Sequence, residues 1–368
     1  MIDFKTDIGM PIFIEKLNTL EDAVNSNMDD FRANLGHGFD ELLQKIKAMQ
    51  AMDGKAAISC ITLSILRTSL FENTFAYRLD AQDKYWFMDD AVCDSKVSAP
   101  WIFDLLDKFK GELSKIAKTY VGKVYFREIG EICNEYLLII NRYLTAWLRK
   151  NLPAVLNDEF FEGVNTEETC ETRFGEYQDA TEMVCLYHAK QYSNEEMMEV
   201  MKKKRKYLTH YDISNRAIIN MRLDDLNLRY AKLENSDFSG CKFEASNLFG
   251  ANAANTTWTD ADISFSVIYG ADFTGCDLSR SGCRELQGYN LYVPDGVKYP
   301  TWEPVSFKGA ILEETDFSGS KLDGAVFSGA SFKDTDFTGV SLYHSVFSES
   351  DSEILQLSEA QRKHIIWI

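Results

Sequence analysis

FSGASFKDTDFTGVSLYHSVF, residues 327–347, returns a large apolar residue at every fifth position: Phe327, Phe332, Phe337, Leu342 and Phe347. A helix places apolar residues about every 3.6 positions and a strand every second one. A period of five fits neither. It calls for a backbone that extends briefly, turns, and extends again.

Outward from this stretch the same spacing runs back through Phe307, Leu312, Phe317 and Leu322. It is also held without a slip from Ile213 through Ile218, Leu223, Leu228, Leu233, Phe238 and onward to Leu278 and Cys283. Two residues before most centres stands a small residue, such as Ala231, Ser236, Cys241, Ser266, Ala271 or Ser320. Two residues after the centre, Gly recurs at Gly240, Gly250, Gly270, Gly275, Gly309, Gly319, Gly324, Gly329 and Gly339. Two inward positions around one outward residue make a very short extended side. The recurrent Gly marks a corner, because Gly adopts backbone angles closed to other residues. Repeated without change, side and corner coil the chain into a solenoid with a narrow interior, which is why one inward position is small. Adjacent coils are expected at strand spacing, ~4.8 Å.

Ala261-Asp262-Ile263, Ala271-Asp272-Phe273, Cys276-Asp277-Leu278, Thr315-Asp316-Phe317 and Thr335-Asp336-Phe337 resemble the pentapeptide-repeat family, whose pattern is a small residue, Asp or Asn, then Leu or Phe and two free positions. The resemblance covers residues 211–350. It implies a right-handed quadrilateral β-helix with four repeats per coil, so that residues twenty apart stack. Phe307, Phe327 and Phe347 should then form one column, and Phe317 with Phe337 another.

The repeat is interrupted by RELQGYNLYVPDGVKYPTWEP, residues 284–304. Pro294-Asp295-Gly296 between Tyr292-Val293 and Val297-Lys298-Tyr299 predicts a β-hairpin. Tyr289, Tyr292, Asp295, Tyr299 and Trp302 are its candidate contact residues, since aromatic side chains anchor interfaces and loops on rigid scaffolds carry recognition. Packing of the same rings against the solenoid is the competing reading. After the repeats, Ser358 opens a short segment ending at Ile368, expected as a C-terminal capping helix over 353–368 that covers the open end, or as a dimer contact.

Residues 1–206 carry the helical period, and the sequence predicts an all-α domain there. Leu17, Leu20, Val24, Met28, Phe31, Leu35, Phe39, Leu42 and Ile46 form one stripe, with a kink or break expected at Gly36-His37-Gly38. The stripe packs on its own domain or makes a coiled-coil seam for a homodimer; Asn27 and Asn34 blur the heptads. Further helices are expected over 55–79, 101–118 and 120–150. Asp158–Glu182, with nine acids and only Arg173 as base, reads as a solvated acidic loop. Ser193 and Glu196 form a capping box opening a last helix, which runs into Lys202-Lys203-Lys204-Arg205-Lys206.

The chain has 57 acidic against 39 basic residues and a formal net charge of −18. That balance repels nucleic acid and anionic membrane and suits a partner with a basic surface. The amino terminus carries no leader-like pattern and no apolar run is long enough to span a bilayer, so a cytoplasmic location is expected. The eight Cys include no CxxC and read as reduced, buried thiols. No nucleotide-binding, zinc-protease or nucleophile-elbow motif is present, and the five His show no ligand spacing. A non-enzyme without cofactor or metal is therefore expected.

The expected function is a non-catalytic protein-binding scaffold or adaptor presenting a rigid acidic β-helix. One alternative comes from the resemblance: some pentapeptide-repeat proteins mimic double-stranded DNA and bind a type II topoisomerase such as gyrase. Residues 243–279 hold five acids and no base, which makes Asp262, Asp272 and Asp277 candidates for that role. An enzyme with an unrecognised site in the helical half is the other alternative.

Overall fold

The computed structural model describes residues 3–66, 76–120, 124, 126–203, 207–289 and 304–368. The chain divides into two compact units, Met1–Gln191 and Tyr192–Ile368.

The first unit is not all-α. Helices α1 (Met10–Ala51), α2 (Pro100–Ala117) and α3 (Phe126–Val155) accompany a five-stranded sheet of β1 (Ile58–Ile65), β2 (Ala76–Gln82), β3 (Asp94–Ser98), β4 (Thr166–Glu176) and β5 (Thr181–His188). The strand order is β3-β2-β1-β4-β5. Only the β1–β4 pairing is parallel, and its long crossover contains β2, β3, α2 and α3. Within the helix expected over 55–79, residues 58–65 and 76–79 are therefore corrected to strand. Ile58–Ile65 is a short apolar, β-branched run buried almost throughout, a pattern that periodicity alone cannot tell from a buried helix. The acidic loop expected over 158–182 is corrected too. In β4, Cys170, Thr172 and Phe174 are buried, while Glu171 and Arg173 pair with each other at 2.8 Å. Charges on the outward face hid a period of two.

Helix α1 runs unbroken through Gly36-His37-Gly38, against the kink expected there. The glycine serves close packing instead. A Cβ on Gly38 would lie 2.7 Å from Val97 Cγ2 and 3.1 Å from Lys96 O, and Ser95 Oγ donates to Gly38 O at 2.7 Å. The apolar stripe of α1 is covered by the chain's own sheet and helices, with Leu20, Phe31, Phe39, Leu42 and Ile46 all 1% exposed or less. Asn34, which disturbed the heptads, donates to Ser98 O on β3 at 3.1 Å.

The second unit opens with α4 (Asn194–Lys203). Its capping box is formed: Ser193 N donates to Glu196 Oε2 at 2.9 Å and Glu196 N to Ser193 Oγ at 3.2 Å. This helix, expected to close the first domain, belongs to the second unit. Its Met197 and Met201 are buried, and Asn194 Oδ1 accepts from Arg216 in the first coil at 3.1 Å.

The solenoid follows. Its outward mid-side residues bridge in parallel to partners twenty residues on, as in Asp212↔Lys232↔Asn252↔Asp272. Each side contributes one bridging residue rather than a long strand. Every described corner from His210 to His344 has φ between 52° and 77°. None of these corner residues is Val, Ile or Thr, whose branched Cβ is excluded from the left-handed region. The inward columns stack as the period predicts. Phe273–Phe307–Phe327–Phe347 are parallel rings 5.3, 5.0 and 4.6 Å apart, and Phe317–Phe337 are 5.5 Å apart. Trp258, the largest buried ring, shares its coil with small Ala253, so bulk is balanced within one layer.

Two side-chain devices hold the coils. Where an Asp or Asn precedes the centre it can cap its own corner: Asp277 Oδ1 accepts from Ser279 N at 2.9 Å, Asp272 Oδ1 from Thr274 N at 2.9 Å, and Asp316 Oδ1 from Ser318 N at 2.9 Å, a local turn motif of short polar side chains. The small inward residue stitches one coil to the preceding one. Ser320 Oγ donates to Cys283 O at 2.8 Å and accepts from Leu286 N at 2.9 Å. Ser320→Ala leaves two buried backbone groups without that partner, so a loss of about 1–3 kcal/mol is expected in urea unfolding. An unchanged midpoint would remove this role.

The break is shorter than the sequence suggests. Leu286-Gln287-Gly288 forms a further repeat, with Gln287 bridging Val267 and Lys321. Gly288 takes the centre position because a Cβ there would lie 3.0 Å from both Leu322 Cδ2 and Val305 Cγ2. Bridged residues are thirty-four apart across the break (Asp272↔Ser306) instead of twenty, so the register survives it. The hairpin expected within 284–304, with Tyr292, Asp295, Tyr299 and Trp302, lies outside the described residues. After the last corner, β7 (Ile366–Trp367) pairs in parallel with β6 (Val346–Phe347), following α5 (Glu359–Arg362) with a capping box at Ser358. The C-terminal segment is thus a single helical turn and a strand pairing rather than a helix over 353–368.

Candidate protein-interaction surface

Each coil has four corners, and they differ in chemistry. Three are mostly polar, as at Glu234-Asn235, Ser239-Gly240 and Asp224-Asp225, with Ile219 and Phe265 as isolated exposed apolar residues. The fourth carries Phe249, Tyr269 and Tyr289 twenty residues apart, Tyr230 at the second position of the preceding coil's corner, and Tyr343 with His344 farther along. The rings touch in sequence: His210–Tyr230 at 5.0 Å, Tyr230–Phe249 at 5.2 Å, Phe249–Tyr269 at 6.0 Å and Tyr269–Tyr289 at 5.5 Å. The Arg229 guanidinium lies 5.4 Å from the Phe249 ring and the Lys321 ammonium 5.4 Å from that of Tyr289. The Tyr230 ring lies over the next corner, where a Cβ on Gly250 would come within 2.5 Å of it. Phe249, Tyr269 and Tyr289 are partly exposed, so one edge of the solenoid is an aromatic strip bordered by cations.

Of the residues singled out from sequence, Tyr289 is the last of these rungs and sits where the repeat is interrupted. Phe249 and Tyr269 were missed. Their signal was a second period, aromatic residues twenty apart just after a centre, which becomes meaningful once four corners per coil are known.

Asp262, Asp272 and Asp277 are not brought together. Asp262 bridges Lys242 and Gly282, Asp272 bridges Asn252 and Ser306, and Asp277 bridges Thr257 and Ile311, which places them on three different sides. Their window is free of bases only along the chain. Arg280 makes two 2.8 Å bonds to Asp260, and Arg284 approaches Asp262 at 3.6 Å. The Arg280 hydrogen bond holds the Asp260 carboxyl below its ordinary range. Burial pushes the Asp262 carboxyl up, but its bonds to Ser264 and the Arg284 charge outweigh that and leave it lowered.

Four of the thiols are held in their protonated form by burial. Burial pushes Cys60, Cys276 and Cys283 up to about 12 and Cys133 to about 11, so they stay protonated near neutrality. Among the described residues, no group of three or more His, Cys, Asp or Glu could hold a metal ion, and no helix is long and apolar enough to cross a membrane.

A family model described as pentapeptide repeats matches eight copies, over residues 241–280 and 305–348, and none matches the N-terminal half. No curated protein matches the chain. Among solved structures, HetL of the cyanobacterium Nostoc sp. strain PCC 7120, a pentapeptide-repeat protein involved in heterocyst differentiation regulation, is 14% identical over 43% of this chain and 67% of its own, with a TM-score of 0.26. QnrB1, a plasmid-mediated fluoroquinolone resistance protein, is 16% identical over 42% of this chain and 92% of its own, at 0.15. A pentapeptide-repeat protein of the Arabidopsis thaliana thylakoid lumen is 18% identical over 47% and 79%, at 0.12. These superpositions are partial and say nothing of a partner. The matched copies lie on the coils described above, so residues 241–280 and 305–348 of the solenoid are built of pentapeptide repeats.

Proposed function

We propose that the protein is a non-catalytic scaffold that binds another protein along the aromatic corner of its solenoid. The observation that carries this reading is the confinement of Tyr230, Phe249, Tyr269 and Tyr289 to one corner of four. Corner residues point outward whatever their type, so the fold does not require rings there. Tyr and Phe give large, stiff contact area at low entropic cost, and bordering Arg229 and Lys321 add directional polar contact. The reading includes the right-handed four-sided coil implied by the repeat and a cover of its open end by residues 353–368, supported by the Val346↔Ile366 and Phe347↔Trp367 pairing. The DNA-mimic alternative is less favoured, because its candidate carboxylates point to three sides and several are spent on corner caps and arginines. Accordingly, the protein is expected to leave gyrase supercoiling unchanged.

The test is a photo-crosslinking amino acid introduced at Tyr269 and, for comparison, at Ser279 on a polar corner. In the native host, position 269 is expected to give a discrete protein adduct and position 279 none. Equal labelling from both corners would remove the aromatic edge as the contact surface.

A further inference from the structure

The connection between β2 and β3, residues 83–93, holds apolar side chains out into water on a backbone fixed from beneath. Tyr85 is 57% exposed, Trp86 38%, Met88 78% and Val92 66%. A surface loop gains nothing in its own folding from such exposure. The loop is nonetheless rigidly tied. The Lys55 ammonium, from the α1–β1 connection, bonds Asp89 Oδ2 at 2.5 Å and Ala91 O at 2.5 Å, and the pair is almost wholly buried. Asp89 also accepts from Asp83 N and Ala91 N at 2.9 Å each. Trp86 sits at φ 55°, a conformation costly for a bulky side chain. Its ring is stacked on Phe87 at 4.7 Å and lies 5.4 Å from the Arg173 guanidinium of β4. Strain, a buried ion pair and ring stacking are thus all used to aim exposed apolar groups outward.

We propose that this connection is a preorganised docking knob for an apolar segment flanked by Lys or Arg on another protein. The choice of occupant rests on charge. The knob is bordered by Asp83 and by exposed Asp90. Of the nearby bases among the described residues, Lys55 pairs with Asp89 and Arg173 with Glu171 at 2.8 Å, and Lys84 lies over the Tyr85 ring at 5.4 Å. An acid-bordered apolar knob disfavours an anionic lipid surface and favours an amphipathic basic segment. Fixing the knob before binding removes much of the ordering cost of the complex, and exposed methionine suits varied apolar partners.

The probe is a labelled Leu/Lys peptide patterned as an amphipathic helix, titrated by anisotropy into the full chain, beside a Leu/Glu version of the same pattern. Binding of the Leu/Lys peptide is expected, and Trp86→Asn combined with Met88→Ser should weaken it about tenfold or more without changing any charge. Asn tolerates the left-handed backbone, so this variant should melt close to wild type; Met88→Ser alone serves if it does not. Absence of binding at low salt, equal binding of the Leu/Glu peptide, or unaltered affinity in both variants would overturn the proposal. Co-sedimentation of the wild-type chain with neutral phosphatidylcholine vesicles, lost in the double variant, would overturn it in favour of a lipid-inserting loop.

Discussion

Leu248→Asp is expected to unfold the solenoid. Leu248 is fully buried, in a column between Leu228 and Ile268 of the neighbouring coils, and the interior is only a few side chains wide. A carboxylate there is taken out of solvent into an apolar column, so it is either ionised at great cost or protonated; either state costs several kcal/mol. Solenoid stability is carried by contacts between adjacent coils, so the damage spreads to both neighbours rather than remaining at one site. The measurement is a thermal melt followed by far-ultraviolet circular dichroism, with the corner substitution Ala245→Asn as control. A melt of Leu248→Asp matching wild type would show the side chain to be outward and the inward assignment mistaken.

Removing one member of the Lys55–Asp89 pair should cost the first unit about 3–5 kcal/mol, because the partner is left charged in a buried place. Lys55→Met and Asp89→Asn each have this effect. The double variant should recover part of the loss, so that a double-mutant cycle gives a coupling well above the level of exposed pairs. Additive losses would mean that the pair contributes nothing as a pair. The same carboxylate gives a pH dependence. Burial pushes Asp89 up, but the Lys55 bond and the N–H groups of Asp83 and Ala91 outweigh this and leave it below the ordinary 3.8. A lowered folded value means its contribution is fully present above 3.8 and is lost as pH falls through the folded value. Asp80 runs the other way: burial raises its carboxyl, so its contribution is present below 3.8 and lost as pH rises through the raised value. Acid unfolding of wild type and Asp89→Asn separates the two, since the variant should lose less stability between neutral and acid pH.

Reading the first unit from sequence went wrong where burial on both faces, or charge on one, erased the expected pattern. Ile58–Ile65 had no polar face to reveal a period of two. In Thr166–Glu176 the outward glutamates made a strand look like an acidic loop. Gly36 and Gly38 suggested a break, since nothing in the sequence shows that Val97 and Lys96 press against the helix there. Phe249 and Tyr269 were passed over because their meaning depends on which corner they occupy.

The sequence by itself determined the solenoid: its side length, its inward columns, its left-handed corners and the stacking of Phe307, Phe327 and Phe347. The reason is that every determinant is local. A five-residue unit carries its own inward pair, its own corner and in many cases its own capping Asp or Asn, and similar units stack twenty residues apart wherever the repeat is uninterrupted. What only the tertiary structure decided is which distant residues share an edge or a sheet. It joined β1 to β4 across a hundred residues, set Arg280 against Asp260 and Arg284 near Asp262, dispersed Asp262, Asp272 and Asp277 over three sides, and aligned Tyr230, Phe249, Tyr269 and Tyr289 on one. Charges and rings act through space, and a chain that turns a corner every five residues brings together residues whose order in the sequence says little about whom they face.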